Sequence, residues 1–289
     1  MQTILSRRDA LKLAAIGGVV FASRLALPAR AEEDFYFVQI SDTHWGFEDP
    51  KVNPDPRHTL LQTIDAVNSV ATPPDFIVFT GDLTHKTEDA AERHRRMNEV
   101  NAMIGGLKVQ KIYFLPGEHD AAADQGAAFK EVFGVTHQSF DHKGVHFITL
   151  DNVSDPNGRI GEEQLDWLEK DLSGLPAEQP VVLFTHRPIF DLKRDWDWFT
   201  EDGSMAVAML NRFQSATVFY GHIHQQNRYL TGNVVHLSAR SALYPLPAPG
   251  SRPKKAPLPW DAAAKDHGIG WREIEANGLR LEIQEHATA

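Results

Sequence analysis

Side chains that can bind metal ions or move protons follow directly after five short apolar runs of this sequence. The runs end in QISDTH, VFTGDL, FLPGEHD, LFTHRP and VFYGHIH. Their polar residues are Asp42 and His44, Asp82, Glu118 with His119 and Asp120, His186, and His222 with His224. In open α/β sheets, ligands bind outside the carboxyl ends of the strands. The five blocks therefore predict one shared site at the edge of a sheet.

The side-chain types restrict which metal ions the site can bind. The blocks offer imidazole nitrogens and carboxylate oxygens only, and the sequence contains no cysteine. This set suits Mn, Fe or Zn rather than copper(I) or an iron–sulfur cluster. The alternate spacing puts Asp42 and His44 on one side of an extended chain, and the same holds for His222 and His224. One such block is common by chance, whereas five blocks behind five apolar runs predict ligands for two ions.

Short β-branched and aromatic runs alternate with helical patterns, which predicts an α/β layered fold. The predicted strands are 35–40, 75–80, 111–115, 145–150, 180–185, 216–220, 234–239 and 279–284. The predicted helices are 58–70, 88–104, 162–172 and 203–213. Loops are predicted at 191–202 and at the Pro-rich 244–260.

The order of the blocks along the chain resembles that of the calcineurin-like metallophosphoesterase superfamily, whose pattern is D-x-H, G-D, G-N-H-[DE], H and G-H-x-H. The resemblance runs from Asp42 to His224. It implies a four-layer α-β-β-α sandwich of two mixed sheets, with a dinuclear metal site at the carboxyl ends of the strands. The resemblance is highly specific for the superfamily but poorly specific for the substrate.

The resemblance also implies a role for each residue of the blocks. Asp42, His44 and His224 are expected to bind one metal ion, His186 and His222 a second, and Asp82 both ions. Two such ions lower the pKa of a shared water from about 15.7 towards 7, so that hydroxide is available to attack phosphorus. His119 is similar to the superfamily's catalytic histidine, which stabilises charge or protonates the leaving oxygen. Asp120 is expected to orient the ring of His119, or alternatively to cap a helix.

Glu118 departs from the pattern, because the superfamily has asparagine there, with an amide oxygen that binds the second metal. We hypothesise that Glu118 binds this metal through a carboxylate, and that the added negative charge favours a phosphodiester over the more highly charged monoester. Alternatively, Glu118 points away and the second metal is weakly held or absent. A third reading is that the substitution has reduced catalysis and left a metal-binding protein.

Candidates for substrate contact lie near the His186 block. Arg187 is expected to contact a substrate phosphate, or to form a surface salt bridge instead. Trp196, Trp198 and Phe199 are expected to form an apolar rim for the organic part of a substrate, or to pack their loop onto the body. His85 follows the Asp82 block and is interpreted as a solvated loop residue rather than as part of the site mouth.

Residues 1–31 are predicted to be an export signal, and residues 32–289 the metallophosphoesterase domain. Arg7 and Arg8 precede an apolar run and resemble the twin-arginine signal, which implies the twin-arginine export machinery as a partner. An ordinary secretory signal or an uncleaved anchor is the alternative, but the run is short for a stable membrane anchor. Without residues 1–31 the formal charge is about −14, which disfavours binding to nucleic acid.

These observations predict a periplasmic or secreted, metal-dependent phosphoric ester hydrolase that acts on small phosphodiesters. A phosphomonoesterase or nucleotidase of the same superfamily is the first alternative. A periplasmic metal-binding protein without activity is the second. The sequence leaves the physiological substrate, the metal pair and the oligomeric state open.

Overall fold

The computed structural model describes residues 20–21, 34–264, 267–277 and 280–288. The predicted export signal, residues 1–31, lies outside the described residues apart from the short strand Val20–Phe21. Cleavage after Ala31 and the twin-arginine pattern at Arg7 and Arg8 therefore stay predictions.

Within the part of the chain that the structure describes, twelve strands form two six-stranded sheets. The first sheet contains β1 (Val20–Phe21), β2 (Phe35–Ile40), β3 (Phe76–Thr80), β4 (Ile112–Leu115), β11 (Gly270–Asn277) and β12 (Arg280–Ala287), in the order β1-β12-β11-β2-β3-β4. The second contains β5 (Gln138–His142), β6 (Val145–Thr149), β7 (Val181–Phe184), β8 (Ala216–Tyr220), β9 (Asn227–Thr231) and β10 (Val234–Ser238), in the order β5-β6-β7-β8-β10-β9. Both sheets are mixed, because β2, β3 and β4 are mutually parallel, as are β6, β7, β8 and β10, whereas the other pairings are antiparallel.

Of the helices in the described ranges, four connect parallel strands within a sheet, and two short ones lie between β4 of the first sheet and β5 of the second. They are α1 (Pro56–Asn68), α2 (Ala90–Ile104), α3 (Glu118–Ala121), α4 (Ala127–Phe133), α5 (Glu162–Ser173) and α6 (Gly203–Leu210), with a 3₁₀ turn at Arg194–Trp196. Asp55 and Asp89 cap the first two helices by accepting hydrogen bonds from the backbone N–H groups of His58 and Glu92. No helix among the described residues is long and apolar enough to span a membrane.

Apolar residues separate the molecule into layers because successive strand side chains point to opposite faces of a sheet. Phe37 of β2 faces the second sheet and contacts the rings of Phe147, Phe184 and Phe219. Its neighbour Val38 faces the other way and packs in the cluster formed with α1 and α2. On the far side, a separate apolar cluster joins the second sheet to α5 and α6. The predicted α-β-β-α sandwich of two mixed sheets is confirmed.

All eight predicted strands and all four predicted helices are present, with ends shifted by a few residues. The prediction missed β1, which falls within the predicted export signal, and also β5, β9 and β11, whose sequences QSFDH, NRYLT and GWREIEAN lack an apolar run. It also missed the short helices α3 and α4. The segment 244–260 contains neither helix nor strand, as predicted.

Candidate metal centre

The five sequence blocks meet at one edge of the sandwich. Those ending in Asp42 with His44, Asp82 and Glu118 follow β2, β3 and β4 of the first sheet, and those ending in His186 and in His222 with His224 follow β7 and β8 of the second. Because each group of strands is parallel, its carboxyl ends lie side by side.

Five of these residues adopt left-handed backbone conformations, which are uncommon for residues other than glycine. They are Asp42 (φ 56°), His44 (φ 42°), Asp82 (φ 51°), His222 (φ 64°) and His224 (φ 53°). Hydrogen bonds between the loops hold them, since Asp42 N–H donates to Gly81 O (3.0 Å) and His44 N–H to Asp82 O (2.9 Å). Strained backbone that the surroundings hold in place clusters at functional sites.

Two glycines leave space for ligand side chains of neighbouring blocks. A Cβ atom on Gly81, which has φ +87°, would collide with the ring of His186. A Cβ atom on Gly117 would collide with the carboxylate of Asp82. The glycines that precede Asp82 and Glu118 in the sequence blocks are therefore needed for close approach of the blocks to one another.

Asp42, His44 and His224 form a first ligand group. Their ligand atoms all lie within 4.8 Å of one another, and all three residues are buried. Nε2 of His224 lies 3.2 Å from Oδ1 of Asp42 and 3.1 Å from Nε2 of His44.

Glu118, His186 and His222 form a second ligand group, also within 4.8 Å of one another. Oε2 of Glu118 lies 2.9 Å from Nε2 of His186, and Oε1 lies 2.9 Å from Nδ1 of His222. Glu118 therefore points into the site, as we expected, and the alternative in which it points away is wrong.

Asp82 lies between the two groups. Its Oδ2 atom is 3.6 Å from Nε2 of His44 in the first group and 3.4 Å from Nε2 of His186 in the second. A carboxylate in this position fits the bridging role that the resemblance implies. That role, like those of the other ligands, stays a prediction.

The carboxylates at the centre are held ionised. Burial and the Glu118 carboxylate oppose the ionisation of Asp82, but His119 and His186 hold its pKa below the usual value. Burial likewise opposes the ionisation of Glu118, and His222, His186 and Arg187 hold its pKa well below the usual value. Ionised carboxylates are the form that binds a metal ion.

Backbone carbonyl groups fix the tautomers of three of the histidines. Nδ1 of His186 donates to Thr80 O (2.8 Å), Nε2 of His222 to Asp197 O (2.9 Å), and Nδ1 of His224 to Tyr244 O (2.7 Å). Since a carbonyl oxygen only accepts, these ring nitrogens carry hydrogen and the opposite nitrogens present lone pairs to the site.

The inward-facing atoms form a site for positive charge. Oε2 of Glu118 and Nε2 of His186 are buried and lie 2.9 Å apart. Burial opposes a charge on His186, but the carboxylates of Asp82 and Glu118 hold its pKa well above the usual value, so that a proton or a metal ion offsets the charge between these two atoms. With nitrogen and oxygen donors only and backbone carbonyls behind the rings, the residues fit a pair of metal ions.

A buried chain of side-chain hydrogen bonds ends on Asp42. Arg272 Nε donates to Gln39 Oε1 (2.8 Å), and Gln39 Nε2 donates to Thr80 Oγ1 (2.9 Å). Thr80 then donates to Ser41 Oγ (2.8 Å), and Ser41 donates to Asp42 Oδ2 (2.5 Å). Every donor points towards Asp42, so that each bond polarises the next. Nothing in the sequence indicated this series of hydrogen bonds, because Arg272 belongs to the unpredicted strand β11.

His119 lies at the edge of the site, with Nε2 4.0 Å from Oδ2 of Asp82. The backbone N–H of Lys86 donates to its Nδ1 atom (3.1 Å), which places the ring hydrogen on Nε2. This tautomer directs an N–H donor towards the space beside Asp82, where it can stabilise charge on an oxygen.

The expectation that Asp120 orients the ring of His119 is wrong. The carboxylate of Asp120 accepts hydrogen bonds from the backbone N–H groups of Leu83 (3.0 Å), Thr84 (2.8 Å) and Gly117 (3.0 Å), and from the Thr84 hydroxyl (2.8 Å). It thus caps α3 and joins the loop after β3 to the loop after β4. The helix-capping alternative describes this residue, because three backbone donors face it and the ring of His119 does not.

Trp196 and Trp198 do not form a substrate rim. They are 4% and 0% exposed and pack with Phe190, Tyr220 and Ile223 in a separate apolar cluster. The loop 191–202 is anchored to the body by these rings, which leaves no indole face for a substrate. Packing of the loop, the alternative reading, is what the structure shows.

Arg187 forms ion pairs within the protein. Its guanidinium lies 2.8 Å from the carboxylate of Asp197, and its Nε atom lies 3.6 Å from Oε2 of Glu118. Of the two readings of Arg187, the salt bridge is therefore present, and it joins a largely buried guanidinium to a half-exposed carboxylate.

His85 is not a solvated loop residue. Its ring packs against those of His44, His119 and Phe47, and its Nδ1 atom lies 3.5 Å from Nδ1 of His44. Burial and the nearby His119 lower its pKa to about 4. It therefore forms part of the site mouth as a neutral ring.

Sequence analysis missed Tyr244 altogether. Its carbonyl group binds His224 and its hydroxyl lies 3.3 Å from Nε2 of His44. The position of Tyr244 at the start of the Pro-rich segment was the only signal that marked this part of the chain.

Comparison with known proteins adds a family and a fold to this geometry. Residues 35–226 match the family described as Calcineurin-like phosphoesterase. The chain is 27% identical over 175 residues to a 3',5'-cyclic-nucleotide phosphodiesterase of Nostoc sp., covering 59% of this chain and 63% of that protein. It therefore spans less than two thirds of the length of that relative.

A second relative is matched along most of its length, and a solved structure is similar in fold. The chain is 24% identical over 268 residues to a 3',5'-cyclic adenosine monophosphate phosphodiesterase of Vibrio vulnificus, covering 89% of this chain and 92% of that protein. A purple acid phosphatase from yellow lupin seeds superposes with a TM-score of 0.64 at 15% identity, covering 89% of this chain and 52% of that one. This last likeness concerns the fold alone.

Proposed function

Since this chain belongs to the calcineurin-like phosphoesterase family, we propose that it is an exported, metal-dependent phosphodiesterase that hydrolyses small phosphodiesters. The observation that carries the proposal is the pair of buried ligand groups with Asp82 between them. Two ions of Mn, Fe or Zn are the proposed cofactors, because the donors are imidazole and carboxylate only.

The chain's own residues would do three things in this reaction. When bound, the two ions supply an activated water nucleophile and neutralise charge on the phosphoryl oxygens. Asp82 connects the two ligand groups, because its carboxylate lies between His44 and His186. The backbone N–H of Lys86 donates to Nδ1 of His119 and so leaves the ring hydrogen on Nε2. His119 would donate a hydrogen bond from Nε2 to the leaving oxygen and stabilise the negative charge that develops there.

Two observations support a diester as the substrate. Glu118 brings a third carboxylate to the two aspartates of the site, and added negative charge disfavours a monoester dianion more than a diester monoanion. The relatives in Nostoc and Vibrio are named as cyclic-nucleotide phosphodiesterases. Cyclic nucleotides, glycerophosphodiesters and nucleotide-like diesters are the proposed substrate class.

Export is proposed from the sequence of residues 1–31. Arg7 and Arg8 before the apolar run, with small residues at Ala29 and Ala31, support a twin-arginine signal and a periplasmic or secreted mature protein. Fusing residues 1–40 to a reporter and replacing Arg7 and Arg8 by lysines tests this. Export that survives the double replacement would contradict the twin-arginine route.

The function is tested with the protein from Glu32 onward, loaded with manganese and assayed for bound metal. Hydrolysis of bis(p-nitrophenyl) phosphate should be faster than hydrolysis of p-nitrophenyl phosphate, with two ions bound per chain. His119→Ala should lose turnover and keep both ions. Faster monoester cleavage would favour a phosphomonoesterase, and two bound ions without cleavage of either compound would favour a metal-binding protein.

A matched variant tests the role of Glu118 in substrate choice. Glu118→Asn restores the residue type of the superfamily pattern and should reduce the ratio of diester to monoester cleavage. It should also weaken manganese binding. If neither the ratio nor the metal occupancy changes, Glu118 has no part in the site.

A further inference from the structure

We propose that Arg187 is the charge partner of Glu118 and partly offsets the negative charge that Glu118 brings to the second ligand group. This inference rests on the proposed function, because it concerns the same metal site. It replaces the reading of Arg187 as a substrate-binding residue with that of a positioning residue that acts through Glu118.

The first observation is the position of the guanidinium. Arg187 follows His186 directly, and its Nε atom lies 3.6 Å from Oε2 of Glu118. That Nε atom is buried and makes no hydrogen bond. Only 12% of the side chain is exposed, so that solvent screens its interaction with Glu118 weakly. A buried cation beside a buried carboxylate changes the charge that a nearby metal ion experiences.

The second observation is that the guanidinium is fixed in place. Its two terminal nitrogens bind the carboxylate of Asp197 at 3.0 and 2.8 Å. Gly158 leaves room for it, because a Cβ atom there would lie 3.1 Å from a terminal nitrogen of Arg187. Asp197 also binds His222 through its carbonyl group. One short segment therefore holds both a ligand of the second group and the cation beside it.

The third observation concerns the charges around Arg187. Lys255 lies 3.8 Å from the carboxylate of Asp197, so that Asp197 has a second cationic neighbour. The four side chains Glu118, Arg187, Asp197 and Lys255 thus carry two negative and two positive charges. An asparagine in place of Glu118 would leave this set with an excess positive charge.

The inference predicts opposite changes in Mn²⁺ affinity for two single variants. Arg187→Met removes the cation and should make Mn²⁺ bind to the second group about tenfold more tightly. Glu118→Gln keeps the length of the side chain but removes its charge, and should make Mn²⁺ bind about tenfold more weakly. Combining both changes should return the dissociation constant to within about threefold of the original value.

Titration calorimetry of the metal-free protein with Mn²⁺ gives this readout without any assay of activity. His222→Ala identifies the binding phase that belongs to the second group, because that phase should disappear. Arg187→Lys keeps the charge and should fall between the original protein and Arg187→Met. Arg194→Gln, an exposed arginine paired with Asp191 and Glu201 in the same loop, should leave both phases unchanged.

The outcomes separate the inference from the proposed function. Weaker Mn²⁺ binding by Arg187→Met, with no recovery in the double variant, would mean that Arg187 serves packing only and would overturn the inference. Such a result leaves diester hydrolysis by the original protein untouched. Conversely, two Mn²⁺ phases with opposite shifts in the single variants, but no hydrolysis of any phosphoester, would support the inference and reject the function.

Discussion

The hydroxyl group of Thr80 donates a hydrogen bond to the hydroxyl group of Ser41 across 2.8 Å, and this bond connects the interior between the sheets with a ligand of the first group. Ser41 passes the polarisation on to Asp42, while Thr80 receives a hydrogen bond from Gln39. The carbonyl group of Thr80 meanwhile binds His186 of the second group. One residue of β3 thus supports both groups, through its side chain and its backbone.

Thr80→Val should weaken Mn²⁺ binding to the first ligand group and leave the second group nearly unchanged. The substitution keeps the shape of the side chain and the carbonyl bond to His186, but it deprives Gln39 and Ser41 of a partner. Leaving these buried groups unsatisfied should cost about 1–3 kcal/mol of the free energy of unfolding. Titration calorimetry and urea unfolding measure the two effects.

Thr149→Val is the matched control for that variant. Thr149 is also fully buried, at the end of β6, and its hydroxyl accepts a hydrogen bond from the backbone N–H of Gln138 in the edge strand β5. Its loss should lower stability without changing metal binding. Equal metal affinities in Thr80→Val and Thr149→Val would contradict a role for the hydrogen-bonded chain.

Asp120→Asn should destabilise the fold rather than remove proton transfer. The amide nitrogen would face backbone N–H groups that now donate to a carboxylate, so that at least one of them loses its acceptor. Hydrogen bonds to a charged group are worth about 1.5–3 kcal/mol each, and a loss of that size is expected in the free energy of unfolding. Thermal and urea unfolding provide the measurement. A large loss of turnover at unchanged stability would instead support the original expectation that Asp120 serves His119.

Trp198→Ala should act through the structure of the loop 191–202. Truncating a fully buried indole costs about 3–5 kcal/mol. Because the same loop holds the Asp197 carbonyl against His222, Mn²⁺ binding to the second group should weaken as well. Phe199→Ala, which removes a ring stacked under Arg194 in the same loop, is the control and should have a smaller effect. A raised KM with unchanged stability would point back to a substrate rim.

His236 should make the protein less stable as the pH falls from about 6.5 to about 4. Burial lowers its pKa from 6.5 to about 4, so that the unfolded chain binds a proton at a higher pH than the folded one. The stability that the neutral ring contributes is complete above pH 6.5 and is lost as the pH falls towards 4. At pH 5 the loss should be about 2 kcal/mol.

His236→Leu should reduce this pH dependence, even if it alters stability at pH 7. Urea unfolding at pH 7 and pH 5 gives the difference for each protein. His58→Gln, a change at an exposed position of α1, should retain the full difference. An unchanged difference in His236→Leu would show that another group is responsible.

The layered fold and the shared site of the five blocks could both be predicted from the sequence, because both follow from apolar runs that end in polar residues. It located Asp42, Asp82 and His224 at strand ends without any coordinates. It also located Glu118, although only the structure shows that its carboxylate points inward.

The contacts between loops were beyond sequence reasoning. Trp198 reads as a surface aromatic among charged residues, and only its burial against Tyr220 and Ile223 shows that it is a core residue. Asp120 and His119 are neighbours in the chain. The left-handed turn at Asp82, however, directs the backbone N–H of the next residue, Leu83, to the carboxylate of Asp120. The strand β11 has no apolar run, so Arg272 carried no signal.

Each ligand group draws on both sheets. The first combines Asp42 and His44 after β2 with His224 after β8, and the second combines Glu118 after β4 with His186 and His222 after β7 and β8. An ion in either group would act as a crosslink between the halves of the sandwich, in a chain that has no cysteine for a disulfide. Because these two groups are complete only where the loops of both sheets meet, metal binding to either of them would be coupled to the folding of the whole sandwich.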